Sequence, residues 1–214
     1  YYSNRDTFKF MLPGIPISSG MKYYFAAQDS TESFVCTYPV GGSGANPPGS
    51  TPPANTFTYS VYNSLSFCSA SLPKPINDLQ YTLDTIQVSS AGYINKITVN
   101  LSLNHANDGD LIIQLIGSGG TVTPSQRNGN GGQNYINTTF DDTASLSITQ
   151  GTPPFTGAFR PQAPFTNYFD KPVTGKYILR IFDAAAGNTG SLTSWCIQIE
   201  TKMNVGIQHA EVPL

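Results

Sequence analysis

The acidic residues of this chain gather where turns are expected. Asp108 and Asp110 lie two apart, on the turn after His105. Asp141 and Asp142 are adjacent, and Asp183 shares a loop with Asn188. Hard cations such as Ca2+ take six to eight oxygen ligands from carboxylates and carbonyls. Clustered carboxylates repel one another unless something neutralises them. The plainer role for the same residues is structural, because Asp and Asn favour turns by bonding to nearby backbone N–H groups. An EF-hand is excluded, since the D-x-D-x-D-G loop ending in Glu is absent. Zinc is disfavoured because the soft ligands do not cluster, the second histidine being His209 in the tail. His105 is therefore expected to be a buried, hydrogen-bonded side chain that fixes its loop.

Covalent catalysis finds little support. A serine or cysteine nucleophile needs a base and an orienting acid within reach. No Gly-x-Ser-x-Gly elbow is present, and His105 has no second histidine near it in sequence. Asp141 and Asp142 are neighbours in a turn, which rarely places two carboxylates on opposite sides of a glycosidic bond. No catalytic constellation is expected.

Composition sets the broad class. The 214 residues carry a formal net charge of -2 and only 11% charged residues, with 12% aromatics and 39% hydrophobics. This is too apolar for a disordered chain, and it lacks the basic field that nucleic acid requires. No apolar run approaches the ~20 residues that span a bilayer. The chain begins Tyr1-Tyr2 without a leader pattern. A signal peptide has been removed, or the sequence belongs to a longer protein.

The elements that must position the acidic turns are strands. Val99, Leu101 and Leu103 alternate with polar residues, as do Tyr177, Leu179 and Ile181, and then Trp195, Ile197 and Ile199. A period of two marks half-buried strands, and no segment gives an amphipathic helix. The expectation is an all-β sandwich or jelly roll. Residues 1–64 are expected to form a β-rich extension, with strand-like runs at 22–26, 32–38 and 57–62. Residues 39–55, rich in Gly and Pro, read as an irregular loop that cannot sit inside a sheet. Phe8, Phe10 and Leu12 alternate near the start, and Met203, Val205 and Ile207 alternate in the tail 202–214. Such terminal strands seek a sheet edge, so copies of the chain are expected to assemble through them. Asn100 and Asn137 head N-glycosylation sequons.

Several motifs occur in a fixed order: His105, Gly109-Asp110-Leu111, Phe140-Asp141-Asp142, then Phe155 and Gly157 before Pro161, and Asp183 with Gly187 before Leu192 and Trp195. The series resembles the P domain (P/Homo B domain) of proprotein convertases such as kexin and furin, a module that also follows many secreted bacterial proteases. The resemblance covers about residues 72–201, within a module bounded at 65–201. It implies a jelly roll without catalytic residues, packed against a separate protease domain. It also implies that the acidic loops share one end and hold a structural Ca2+, through Asp110, Asp142 and Asp183, with Asp108 and Asp141 as further candidates. Of Cys36, Cys68 and Cys196, a Cys68–Cys196 bridge would tie the ends of the module. A Cys36–Cys68 bridge or three free thiols are the alternatives. Two functions follow. One is an extracellular structural protein, a surface or filament subunit. The other is the accessory, stabilising P domain of a secreted subtilisin-like serine protease or metalloprotease.

Overall fold

Alternating residues along a strand point to opposite faces, so a run such as Ile97 to Leu103 must find a second apolar layer to cover it. The computed structural model describes residues 21–31, 34–45, 48–59 and 62–202. Its contacts divide the chain into two units, one over residues 1–61 with 205–214 and the other over residues 62–204. The terminal runs holding Phe8, Phe10, Leu12, Met203, Val205 and Ile207 lie outside the described residues.

The described part of the first unit is a set of two-stranded ribbons. Strand β1 (Met21–Tyr23) pairs with β6 (Phe57–Tyr59), β2 (Phe25–Gln28) with β3 (Val35–Tyr38), and β4 (Ser43–Ala45) with β5 (Pro48–Thr51). Strands near 22–26, 32–38 and 57–62 were expected. The ribbon of β4 and β5 corrects the reading of 39–55 as a loop without sheet. A two-stranded ribbon exposes both edges, so Pro48 can begin β5 without breaking a ladder. Gly44 adopts φ +105, and a Cβ there would lie 1.9 Å from Ser50 Oγ, so glycine permits the turn and the pairing. Aromatic rings bind this unit: Phe57 sits 5.4 Å from both Tyr23 and Tyr38, centroid to centroid.

The second unit is the sandwich. Its strands are β7 (Asn63–Cys68), β8 (Lys74–Ile76), β9 (Tyr81–Val88), β10 (Tyr93–His105), β11 (Leu111–Gly117), β12 (Gly120–Gln126), β13 (Tyr135–Phe140), β14 (Phe155–Phe159), β15 (Gly175–Asp183) and β16 (Gly190–Lys202). One sheet runs β14-β13-β10-β16-β7, with β8 also on β16, and the other runs β12-β11-β15-β9. Setting aside β8 and β14, the chain order of strands across the first sheet is sixth, third, eighth, first. Across the second it is fifth, fourth, seventh, second. That interleaving is the double Greek key of a jelly roll. The fold is thus the all-β sandwich that the alternation predicted.

The buried hydrophobic core among the described residues belongs to this unit. Val99, Leu101 and Leu103 of β10 meet Leu179, Ile181 and Leu115 of the opposite sheet within one buried cluster. Full burial of each such side chain is worth ~1.5–3 kcal/mol. Trp195 is buried in the same cluster. Cys68 and Cys196 form the disulfide, pairing β7 with β16, while Cys36 is free and exposed. Of the open alternatives, the bridge is the one that joins the ends of the module.

Candidate functional site

Four chain segments meet where β10 ends. His105 is the last residue of β10 and pairs with Gly190, the first of β16. Asp183 is the last residue of β15 and pairs with Leu111, the first of β11. Between β10 and β11, Asn107 caps a single 3-10 turn, its Oδ1 accepting from Gly109 N at 3.0 Å. An Asn side chain in that role replaces a missing backbone partner. Gly190 admits no side chain, because a Cβ would lie 2.1 Å from the Asn104 carbonyl and 2.8 Å from the His105 ring. This explains why a glycine opens β16, two residues before Leu192.

The His105 ring is 2% exposed. Its Nε2 lies 3.2 Å from Asp183 Oδ2, and its Nδ1 lies 2.8 Å from the Asn107 carbonyl. With both nitrogens committed, the ring fixes its loop, as the sequence suggested. Asp183 Oδ1 accepts from Ala185 N at 3.3 Å. Asp110 accepts from Asn107 Nδ2 at 2.9 Å and from Asn188 Nδ2 at 2.8 Å, one on each oxygen. Asp108 Oδ1 accepts from Asn134 N at 2.9 Å. Asp108 Oδ2 is buried with no partner. Burial pushes the Asp108 carboxyl up to about 7, against the opposing pull of the Asn134 N–H and His105.

Asp141 and Asp142 are elsewhere. Asp141 accepts from Lys96 Nζ at 2.9 Å, and from Thr143 through its N–H at 2.8 Å and its hydroxyl at 2.7 Å. Phe140 pairs with Val99 of β10, which places Asp141 beside Thr98, and the seven residues from there to His105 at ~3.3 Å each put the two groups roughly 23 Å apart. Burial raises the Asp141 carboxyl, but Lys96 and Thr143 more than offset it and the net shift is downward. Asp142 accepts from Phe165 N through both oxygens, at 3.1 and 3.0 Å. Its carboxyl is shifted upward by burial, against the Phe165 N–H and with Asp141 adding to the rise. The idea of one shared site for all five carboxylates is therefore corrected. Asp108, Asp110 and Asp183 converge, whereas Asp141 and Asp142 anchor a turn at the far end of β10.

Asp108, Asp110 and Asp183 are the carboxylates of the expected Ca2+ set that the fold brings together, and hydrogen bonds hold them. Every carboxylate oxygen in the group except Asp108 Oδ2 already accepts a hydrogen bond from the protein. Among the described residues, no group of three or more His, Cys, Asp or Glu side chains is arranged to hold a metal ion. The arrangement is a hydrogen-bonded latch that closes four loop ends. His209 lies outside the described residues.

A buried carboxylate outside the latch escaped the sequence reading. Asp84 is 1% exposed and accepts from Trp195 Nε1 at 2.6 Å, Ser71 Oγ at 2.8 Å and Lys74 Nζ at 2.6 Å. Burial raises this carboxyl, but Lys74, Ser69, Trp195 and Ser71 outweigh that and hold it at about 2. The signal was available: Ile86 and Val88 face the core, and Asp84 continues their alternation inward. Of the sequons, Asn100 donates through Nδ2 to Asn137 Oδ1 at 3.1 Å and Thr139 Oγ1 at 2.9 Å, so its nitrogen is engaged. Asn137 is exposed, at φ +49.

Residues 94–199, from the second residue of β10 into β16, match the family model described as the proprotein convertase P-domain. Those residues, just under half of the chain, form a P-domain-like module. Among solved structures, the serine protease of Aeromonas sobria is similar over 67% of this chain and 28% of its own, at 15% identity and TM-score 0.40. Its complex with a chaperone gives 84% and 36%, at 15% identity and TM-score 0.41. A structure of infectious bursal disease virus, Gx strain, gives 91% and 54%, at 11% identity and TM-score 0.37. The chain thus spans about a third of the protease's length. No curated protein matches.

Proposed function

We propose that residues 62–202 are the accessory, non-catalytic P domain of a secreted polypeptide, and that they pack against and stabilise a protease catalytic domain. The observation that carries this reading is the family match over residues 94–199, on a jelly roll whose one buried histidine is a structural latch. The Cys68–Cys196 disulfide supports an oxidising, extracellular setting. Among the described residues, no helix is long and apolar enough to cross a membrane. The other reading, a surface or filament subunit, rests on the terminal runs that lie outside the described residues. Deleting residues 62–202 from the natural polypeptide tests the proposal. Secreted proteolytic activity is expected to fall, with a lower thermal midpoint for what remains. Unchanged activity and midpoint, together with polymers of the purified chain in light scattering, would favour the subunit reading.

A further inference from the structure

The two outward faces of the sandwich differ in chemistry. Across the larger sheet the register aligns Ser66, Gln198 and Thr98, with Asn100 two residues further along β10. That face is polar and suits water. Across the four-stranded sheet the register aligns Tyr81, Phe182 and Ile112, then Leu83, Arg180 and Gln114, then Ile178 and Ile116. Tyr81 is 58% exposed and Leu83 50% exposed. An apolar face of this kind on an antiparallel sheet marks an interaction surface.

Arg180 defines what fits there. Its Nε donates to Gln114 Oε1 at 2.8 Å, and its guanidinium carbon lies 5.5 Å from the Tyr81 ring centre. Tyr81 is itself stacked on Phe182, with centroids 4.4 Å apart. The guanidinium is held in place while its terminal nitrogens remain available, the fork that a carboxylate engages with two bonds. The outward positions of β9, β11 and β15 include Lys176 and no carboxylate. Arg180 and Lys176 are too few cations for the polybasic cluster that anionic lipid recruits.

We propose that this face is the module's docking surface, and that its occupant is a folded protein surface, apolar around a carboxylate that pairs with Arg180. The inference rests on the accessory-domain reading and names the face that reading leaves open. A photo-crosslinking residue in place of Leu83, and separately in place of Ser66, tests it in the natural polypeptide, with cross-linked peptides read by mass spectrometry. The position-83 product is expected to join an apolar segment bearing Asp or Glu, and to fall at least tenfold with Arg180→Glu. Reversing the charge of that carboxylate should restore it. If Arg180→Glu does not fold, Arg180→Lys keeps the charge without the fork and should still lower the yield severalfold at an unchanged thermal midpoint. Products from position 66 alone overturn the face and leave the accessory reading standing. No product from either position overturns both. A product joining two copies of the chain, or pelleting of the chain with phosphatidylserine vesicles, overturns the proposed occupant.

Discussion

The Trp195 pocket and the His105 latch both bury carboxylates, and they hold them in opposite ways. In the pocket, Asp84 meets a cation, an indole N–H and a hydroxyl, and its carboxyl is held at about 2. In the latch, Asp108 meets one backbone N–H and leaves an oxygen without a partner, and burial pushes its carboxyl up to about 7. Both side chains are essentially sealed from water. Burial alone therefore does not decide the charge state; the donors that replace water decide it. Lys74 can supply the pocket because its long stem reaches inward from a partly exposed position.

The comparison breaks most visibly at Asp84. Asp84→Ala leaves the Trp195 indole buried without an acceptor and strips Lys74 of its counter-ion, leaving it the Leu83 carbonyl. Removing one member of a buried ion pair typically costs 3–5 kcal/mol, and Lys74 can regain water, so a loss of about 3 kcal/mol is expected. Urea unfolding with the disulfide intact measures it. A loss below about 1 kcal/mol would mean that Trp195 repacks without the carboxylate.

Acid titration is the next sharpest test. The Asp84 carboxyl titrates near 2 when folded, against an unfolded value of about 3.9. A depressed carboxylate contributes stability that is present above the unfolded value and lost as pH falls through the folded one. Its contribution of about 2.5 kcal/mol should therefore disappear between about pH 4 and pH 2. The Asp84→Asn variant should show a flatter acid limb by that amount. Parallel limbs would remove Asp84 from the acid response. A smaller effect belongs to the latch: Asp110→Ala frees the Asn107 and Asn188 amides, which sit in part-buried positions where water can reach them. About 1–2 kcal/mol is expected from the same unfolding measurement.

The two regions also differ in how far the sequence revealed them. Strand alternation at Val99–Leu103 and Tyr177–Ile181 located the sheets, because a period of two follows directly from strand geometry. The order His105, Gly109-Asp110-Leu111 and Asp183 located the latch, because each residue sits at the end of a strand or within a short turn. Asp84 belongs to no motif, and its partners come from two distant segments, Ser71 and Lys74 from one stretch and Trp195 from β16. Only the fold brings them together. Distance was equally hidden for Asp141: the family resemblance implied an ion shared with Asp110 and Asp183, but most of the length of β10 separates Asp141 from His105. The ribbon of β4 and β5 was obscured by composition, since Gly and Pro weaken sheets in general but do not exclude a two-edged ribbon.

Calcium gives the smallest expected effect and the most discriminating one for the latch. The oxygens of Asp110 and Asp183 are taken by Asn107, Asn188, Ala185 and His105, and only Asp108 Oδ2 is unclaimed. As placed, that leaves one unclaimed carboxylate oxygen toward the six to eight oxygen ligands that Ca2+ takes. Chelation should therefore leave the thermal midpoint of the chain unchanged, and added Ca2+ should not raise it. An ion that bound the folded state at one hundred times its Kd would add about 2.7 kcal/mol, enough to move the midpoint of a domain this size by several degrees. A rise of that order, abolished by Asp110→Ala, would mean that the amides give way to the ion. The latch would then be a cation site whose hydrogen bonds re-form when the ion leaves.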